Sequence, residues 1–270
     1  MMGEKKLIER LSVVIPAYNE NRIILDTLKE CISSLGDIKP EVIVVDDGSL
    51  DGTLEKVQDF AKKNPDVRIV TYGGNQGKGY AVKSGFRYAT GDVIAFIDAD
   101  LNLHPRQIPK MMEYMEKYDV DVVVGSKRHP ESKVSYPLLR KILSEMYYLL
   151  VRTLFGLPVK DTQVGLKLYK REVLVDVLPK VLVKRYAFDI EILANAHRLG
   201  YKIIESPIEV NMSFSSHVNM KAIWNMLLDT SAVFYRMKIL KYYDTNTPLL
   251  KRNNELLSDY IKAVSKPKVK

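Results

Sequence analysis

The sequence predicts an α/β fold, a mainly parallel sheet flanked by helices, with amphipathic helices toward the C-terminus. Two observations carry that prediction. In the first half, short β-branched runs alternate with longer amphipathic ones, the pattern of βαβ units, and the runs are nearly continuous in Val and Ile, as for strands covered on both faces. Polar loops follow these runs, and open α/β sheets bind ligands there, beyond the carboxyl ends of their strands. At 270 residues, 46% hydrophobic and 27% charged, the chain has the profile of a folded protein, and neither a repeat nor a linker divides it.

In chain order, strands are expected at Leu11 to Ile15, Val42 to Val45, Val67 to Thr71, Val93 to Ile97 and Val120 to Val124. Helices are expected between them at Ile23 to Leu35, Thr53 to Lys63, Gly79 to Ala89 and Pro105 to Tyr118. Asp51 or Gly52 suits the start of the second, and Pro105 suits a first helical turn. The second half changes character. Pro137 to Phe155 is apolar or aromatic over most of its surface, with Arg140, Lys141 and Arg152 interspersed, which fits an interfacial membrane helix as well as core. A strand at Val164 to Tyr169, a helix at Phe188 to Leu199, a strand at Ile203 to Val210 and an apolar helix at Met220 to Leu240 complete the pattern. One continuous domain over 1–240 is expected, including the helices at about 134–157 and 220–240, with 241–270 forming a C-terminal helix and basic tail.

Forty-one Lys and Arg against 33 Asp and Glu give a net charge of +8 and point to an anionic partner: nucleic acid, a phosphorylated substrate or an anionic membrane surface. A lone cysteine, Cys31, excludes an internal disulfide and a cysteine-based zinc site, fits a reducing compartment and reads as core. No apolar run approaches the ~18 residues of a membrane span, and MMGEKKLIER lacks the apolar stretch of a signal peptide. A cytoplasmic protein, peripheral on the cytoplasmic face of a membrane, is therefore expected.

Three loops carry candidate chemistry. Asp98-Ala99-Asp100 follows the run VIAFI, and paired carboxylates at a strand end suit a hard divalent cation bridging to phosphate. Asp46 and Asp47 place acceptors where a base or ribose could bind, while Asp51 reads as a turn residue leading into a helix. Pro16-Ala17-Tyr18-Asn19-Glu20 is the third strand end of this kind. The run Gly73 to Gly79 fits neither the P-loop nor the dinucleotide template, yet its glycines could bring a helix N-terminus and Lys78 toward an anion. Taken alone, Gln163 and Lys167 suit the polar edge of a strand as well as a site; Phe188 and Ile190 read as core, and Glu191 as a helix-surface charge. His104, His129 and His197 lack metal-ligand spacing.

These loops, Ile15 to Glu20, Val45 to Ser49, Gly77-Lys78-Gly79 and Asp98 to Asp100, resemble in order and spacing the nucleotide-sugar-binding domain of glycosyltransferase family 2. Gly125-Ser126-Lys127, Asp161 to Lys167 and Arg185 to Glu191 resemble the polyprenyl-phosphate sugar synthases within it, above all those that glucosylate dolichyl phosphate. The resemblance covers roughly residues 10 to 240 and implies a GT-A fold with one catalytic domain. It implies inverting transfer of a hexose, glucose from UDP-glucose by preference, to dolichyl or another polyprenyl phosphate, with Mg²⁺ or Mn²⁺ as cofactor. A GDP-mannose or N-acetylhexosamine enzyme is the alternative within the family. A nucleic-acid-binding module is disfavoured, because the most distinctive loops are acidic.

By resemblance, Pro16, Tyr18, Glu20 and Asp47 hold the nucleoside, and Asp98 and Asp100 hold the metal and diphosphate, with Asn102 as a further metal ligand. Lys78 and Gln163 belong to the donor site, as does His217, which stands with Ser216 where relatives carry a Ser-Lys pair on the diphosphate. Lys127 stands where relatives carry Arg, and Arg140 matches a basic residue on the following helix; both are assigned to the acceptor phosphate. Asp189 occupies the position at which family members acting on hydroxyls carry a base.

Overall fold

The sheet grows outward from Leu11–Ala17 (β1), whose Val13, Val14 and Ile15 are fully buried. In this computed structural model residues 10–134, 138–185, 187–210 and 220–244 are described, without the side chains of 138–141, 221 and 222. Glu41–Asp46 (β2) pairs in parallel on one side of β1, and Val67–Thr71 (β3) lies in parallel outside β2. On the other side of β1 comes Val93–Phe96 (β4), also parallel. Val122–Ser126 (β5), Lys167–Lys170 (β6) and Ile203–Pro207 (β7) complete a seven-stranded sheet in the order β3-β2-β1-β4-β6-β5-β7. β6 runs antiparallel to both β4 and β5, whereas β7 is parallel to β5. The carboxyl ends of β1, β2, β4 and β5 therefore meet the amino end of β6 along one edge of the sheet.

Helices cover both faces, as alternating side chains on a doubly buried sheet require. Val13 and Ile15 point into one core layer with Ile24, Leu28 and Cys31 of Ile24–Ser33 (α1), Val57 of Thr53–Ala61 (α2), and Met111 and Met115 of Ile108–Lys117 (α4). Val14 points into the other, with Val82 and Phe86 of Lys78–Phe86 (α3). That layer continues through Val151 and Phe155 of Leu138–Phe155 (α5), Leu174 of Arg171–Val177 (α6) and Ile192 of Phe188–Arg198 (α7). Met220–Phe234 (α8) ends in a π-helical turn, Tyr235–Ile239, and lies against α5, where the Tyr147 hydroxyl meets Thr230 Oγ1 at 2.9 Å.

Several expectations change in detail. β3 is not covered on both faces: only Val67 is buried, because the strand has a neighbour on one side only. α4 is preceded by a 3₁₀ turn at Pro105–Gln107, capped by His104, whose Nδ1 accepts from the Arg106 amide at 3.1 Å. β5 starts at Val122 because Asp121 is drawn outward, accepting from the Lys202 amide at 2.9 Å and from Lys170 Nζ at 2.8 Å. α6 was not anticipated, since seven residues are too few for a helical period to stand out. The expected helices at 134–157 and 220–240 are α5 and α8 with its π turn. The helix and tail expected over 241–270 lie, beyond Asp244, outside the described residues.

Candidate active site

β1 has β2 on one side and β4 on the other, so the chain leaves it in both directions and a crevice opens between the loops beyond its carboxyl end, the switch point at which such sheets bind ligands. A cavity of about 290 Å³ occupies that crevice. The loop after β1 contributes Pro16, Ala17, Tyr18 and Glu20, and the loop after β4 contributes Asp98, Ala99 and Asp100. Asp47 follows β2, and Asn75, Gly77 and Lys78 lead into α3. Pro16, Tyr18, Glu20, Asp47, Lys78, Asp98 and Asp100, seven of the residues expected at a site, thus face one space.

Hydrogen bonds hold the loops open. Asn19 takes positive φ, its side-chain oxygen accepting from the Leu50 amide at 2.9 Å and its own amide donating to Ser49 Oγ at 3.0 Å. The Glu20 amide donates to Thr53 Oγ1 at 2.9 Å, which leaves Tyr18 44% exposed at the cleft. Asp47 is occupied within the protein, accepting from the Tyr72 hydroxyl and the Gln76 amide at 2.8 Å and from the Gly77 amide at 2.9 Å. It organises the turn that presents Lys78.

Charges alternate along the floor. Lys78 Nζ is ion-paired with Asp98 Oδ1, and Lys167 Nζ donates to Asp189 Oδ1 at 2.6 Å in the interior just behind. Lys127 Nζ lies 3.7 Å from Asp161, whose carboxylate also accepts from the Lys127 amide. Burial alone would raise the Asp98 carboxyl, but Lys78, Lys167 and Lys127 outweigh it and hold it below its ordinary value. Asp100 lacks that support: burial and the Asp98 charge push it upward. Glu20 is raised too, by burial and by Asp100, Asp98 and Asp51. Lys78 is raised, since Asp98 and Asp189 overcome the cost of burial, whereas burial of Lys167 outweighs Asp189 and lowers it.

Among the described residues no three His, Cys, Asp or Glu side chains form a cluster able to hold a metal by themselves. The pair Asp98 and Asp100 nevertheless fits Mg²⁺ or Mn²⁺ shared with phosphate, because such ions take one or two protein carboxylates and fill their remaining positions with water and phosphate oxygens. Asn102 braces this loop: its backbone amide donates to Asp100 Oδ1 at 3.0 Å and its side-chain amide donates to Oδ2, leaving its carbonyl oxygen as the ligand it could offer.

Some assignments move. Glu191 is not a surface charge: it is 0% exposed, turned inward from α7 onto four donors. Phe188, Ile190 and Cys31 are core as expected. Gln163 is half-buried beside Asp161, its Nε2 without a hydrogen-bond partner among the described residues, and it does not line the cavity. The Arg140 side chain and His217 lie outside the described residues. Two residues escaped sequence reasoning. Arg128 sits 5.0 Å from the Tyr148 ring and contacts Glu145 and Ser144, tying the loop after β5 to α5. Gly165 passes so close to Asp98 that a Cβ there would lie 1.9 Å from Oδ2; its place in the Asp161 to Lys167 motif was the only signal.

Comparison with known proteins agrees with this architecture. Residues 12–178 match Glycosyl transferase family 2. Dolichyl-phosphate beta-glucosyltransferase of Dictyostelium discoideum is 34% identical over 232 residues, 78% of this chain and 71% of that protein. Undecaprenyl-phosphate mannosyltransferase of Micrococcus luteus is 34% identical over 206 residues, 74% of this chain and 82% of that protein. In fold, the chain is similar to glucosyl-3-phosphoglycerate synthase from Mycobacterium tuberculosis, crystallised with UDP, at a TM-score of 0.63 and 22% identity over 84% of this chain and 79% of the other. By sequence match and by the sheet that carries the cleft, the chain belongs to glycosyltransferase family 2.

Proposed function

We propose that the protein transfers a hexosyl group from a nucleoside-diphosphate sugar to the phosphate of a polyprenol, with glucose from UDP-glucose to dolichyl phosphate as the preferred pair. The observation that carries this reading is the switch-point cleft itself, where Lys78 and the Asp98–Asp100 loop set a fixed cation against two carboxylates. Such a pair suits a diphosphate accompanied by a metal ion better than either charge alone. The printed names of the two relatives, one a dolichyl-phosphate and the other an undecaprenyl-phosphate transferase, support the acceptor class. The mannosyl relative keeps a GDP-mannose donor as the second reading.

In this reading Tyr18 and Pro16 cover the base, Glu20 and Asp47 frame the nucleoside, and Lys78 meets the diphosphate. Asp98 and Asp100, with Asn102 as a further donor, would hold a divalent cation, which would supply neutralisation of the charge on the departing diphosphate. An acceptor phosphate oxygen attacks the anomeric carbon as the bond to the diphosphate oxygen breaks; the nucleoside diphosphate leaves with the electron pair, and the anomeric configuration inverts. A phosphate monoester with a second pKa of about 6 is already largely dianionic near neutrality. No base has to deprotonate it, and the Lys167 contact supports reading Asp189 as an anchor for that lysine. Lys127 and Arg140 supply the cations that draw the dianion into line.

The lipid tail calls for an apolar surface beside the cleft. Met146 (65% exposed) and Leu149 (62%) on α5, with Trp224 (63%) on α8, support docking of these helices on the cytoplasmic face of a membrane. Among the described residues no helix is long and apolar enough to cross one. The test is a donor screen with purified protein, a short polyprenyl phosphate and Mg²⁺ or Mn²⁺. Labelled lipid is expected with UDP-glucose and not after chelation of the metal. Transfer in fully metal-free enzyme would refute the metal assignment, and transfer to a hydroxyl acceptor alone would refute the phosphate acceptor.

A further inference from the structure

Glu191 lies inside the protein, away from the cleft, and its two carboxylate oxygens serve different parts of the chain. Oε2 accepts from the backbone amides of Leu182 and Val183, at 2.9 and 2.7 Å. Oε1 accepts from Arg236 at 3.2 Å and from the Tyr243 hydroxyl, and Arg236 Nε donates to that same hydroxyl at 3.1 Å. The first set belongs to the strap between Leu182 and Lys184, the second to the arm that leaves α8 through its π-helical turn. A buried carboxylate without such donors would be strongly destabilising, so a full set of partners is required. The partners need not have come from two separate segments.

The strap has a second contact. The Lys184 carbonyl accepts from the Gly79 amide at 2.8 Å and from the Tyr80 amide at 3.4 Å, the second and third amides of α3. A Cβ on Gly77, at φ +98°, would lie 2.6 Å from that carbonyl, so turn and strap are in direct backbone contact. Lys83 Nζ adds a bond of 3.2 Å to the Val181 carbonyl at the near end of the strap. Lys78 lies between the glycines that meet the strap, and its side chain reaches Asp98 in the cleft.

We propose that Glu191 is a positioning residue for the Lys78 turn. From within α7 it fixes the strap whose last carbonyl holds the start of α3, and it ties that strap to the arm at the end of α8. The inference rests on the reading that Lys78 meets the donor diphosphate. Replacing the carboxylate by an amide leaves one accepting oxygen for two sets of donors and puts an NH₂ against the other set, so Glu191→Gln separates strap from arm with little change in volume.

Amide hydrogen exchange tests the physical link without any ligand. In Glu191→Gln, Gly79 and Tyr80 should exchange about tenfold faster, equal to about 1.4 kcal/mol of local stability, while Val14 and Val44 in the sheet keep their rates. Tyr243→Phe, which removes one arm donor and leaves the carboxylate, should act in the same direction more weakly; it decides the matter if Glu191→Gln does not fold. In steady state the donor KM should rise about fivefold to tenfold, with kcat and the KM for lipid phosphate within about twofold, the pattern of a lost ground-state binding contact. Unchanged exchange at Gly79 and Tyr80 overturns the proposal, as does faster exchange with an unchanged donor KM, which would leave Glu191 a purely structural group. Faster exchange in a protein that transfers no sugar from any donor supports the strap and arm linkage and refutes the donor reading instead.

Discussion

A methyl group at position 165 would collide with the Asp98 carboxylate, because Gly165 lies directly behind the loop that presents it. Asp98 is thus fixed from two sides, by Lys78 within the cleft and by the backbone at Gly165. Gly165→Ala should displace that carboxylate by about 1 Å, and misplacement on this scale can cost about 10²-fold in kcat/KM. The thermal midpoint should fall by only a few degrees, since the loop can yield toward the cleft. Measured kcat/KM and melting curves check this, and a variant with wild-type kinetics would show that the Asp98 position is not critical. At this scale the sequence was readable where a residue's role follows from its neighbours: Asp98, Asp100, Asp47 and Tyr18 stand just beyond apolar strands, and all line one cavity. The contact between Gly165 and Asp98, the Lys167–Asp189 pair and the burial of Glu191 were not readable, because each joins residues from separate elements.

Among elements, α5 and α8 carry the sharpest expectation. Their inward residues, Val151, Phe155 and Val233, are buried, and the Phe155 and Phe234 rings meet edge to face with centroids 6.2 Å apart. Their outward residues Met146, Leu149, Trp224 and Leu228 are exposed, which is costly in water unless another surface covers them. Binding to anionic vesicles is expected, weakened but not abolished by raised salt, because apolar insertion survives the screening that removes charge attraction. Sedimentation with vesicles measures it, and the paired substitutions Leu149→Gln and Trp224→Gln should leave only salt-sensitive binding. Indifference to vesicles at low salt would rule out the membrane surface. The apolar character of both helices was plain in the sequence. Their mutual packing was not, and neither was the direction of β6, since a four-residue strand has the same pattern whichever way it runs.

Over the whole molecule, alternation of strand and helix predicted the mainly parallel sheet, and five βα units account for most of it. The order of the strands was beyond reach of pattern, because the strand that arrives sixth sits fifth from the β3 edge, just beyond β4, and separates β4 from β5. That placement has a kinetic consequence. β2, β3 and β4 can each pair as soon as they exist, beside a strand already made, whereas β5 has no partner until β6 is available on one side and β7 on the other. Pairing between segments distant in the chain must first meet the entropy of closing the intervening loop, and slows assembly accordingly. During refolding from denaturant, pulse-labelled amides of β1 and β2 should gain protection before those of β5 and β7; simultaneous protection would show a single cooperative step. The cleft loops after β1 and β2 would then be in place first, and the ion pairs of Lys167 with Asp189 and of Lys127 with Asp161 would form last, so an incompletely folded chain would have those walls of its site without the paired charges that support Asp98.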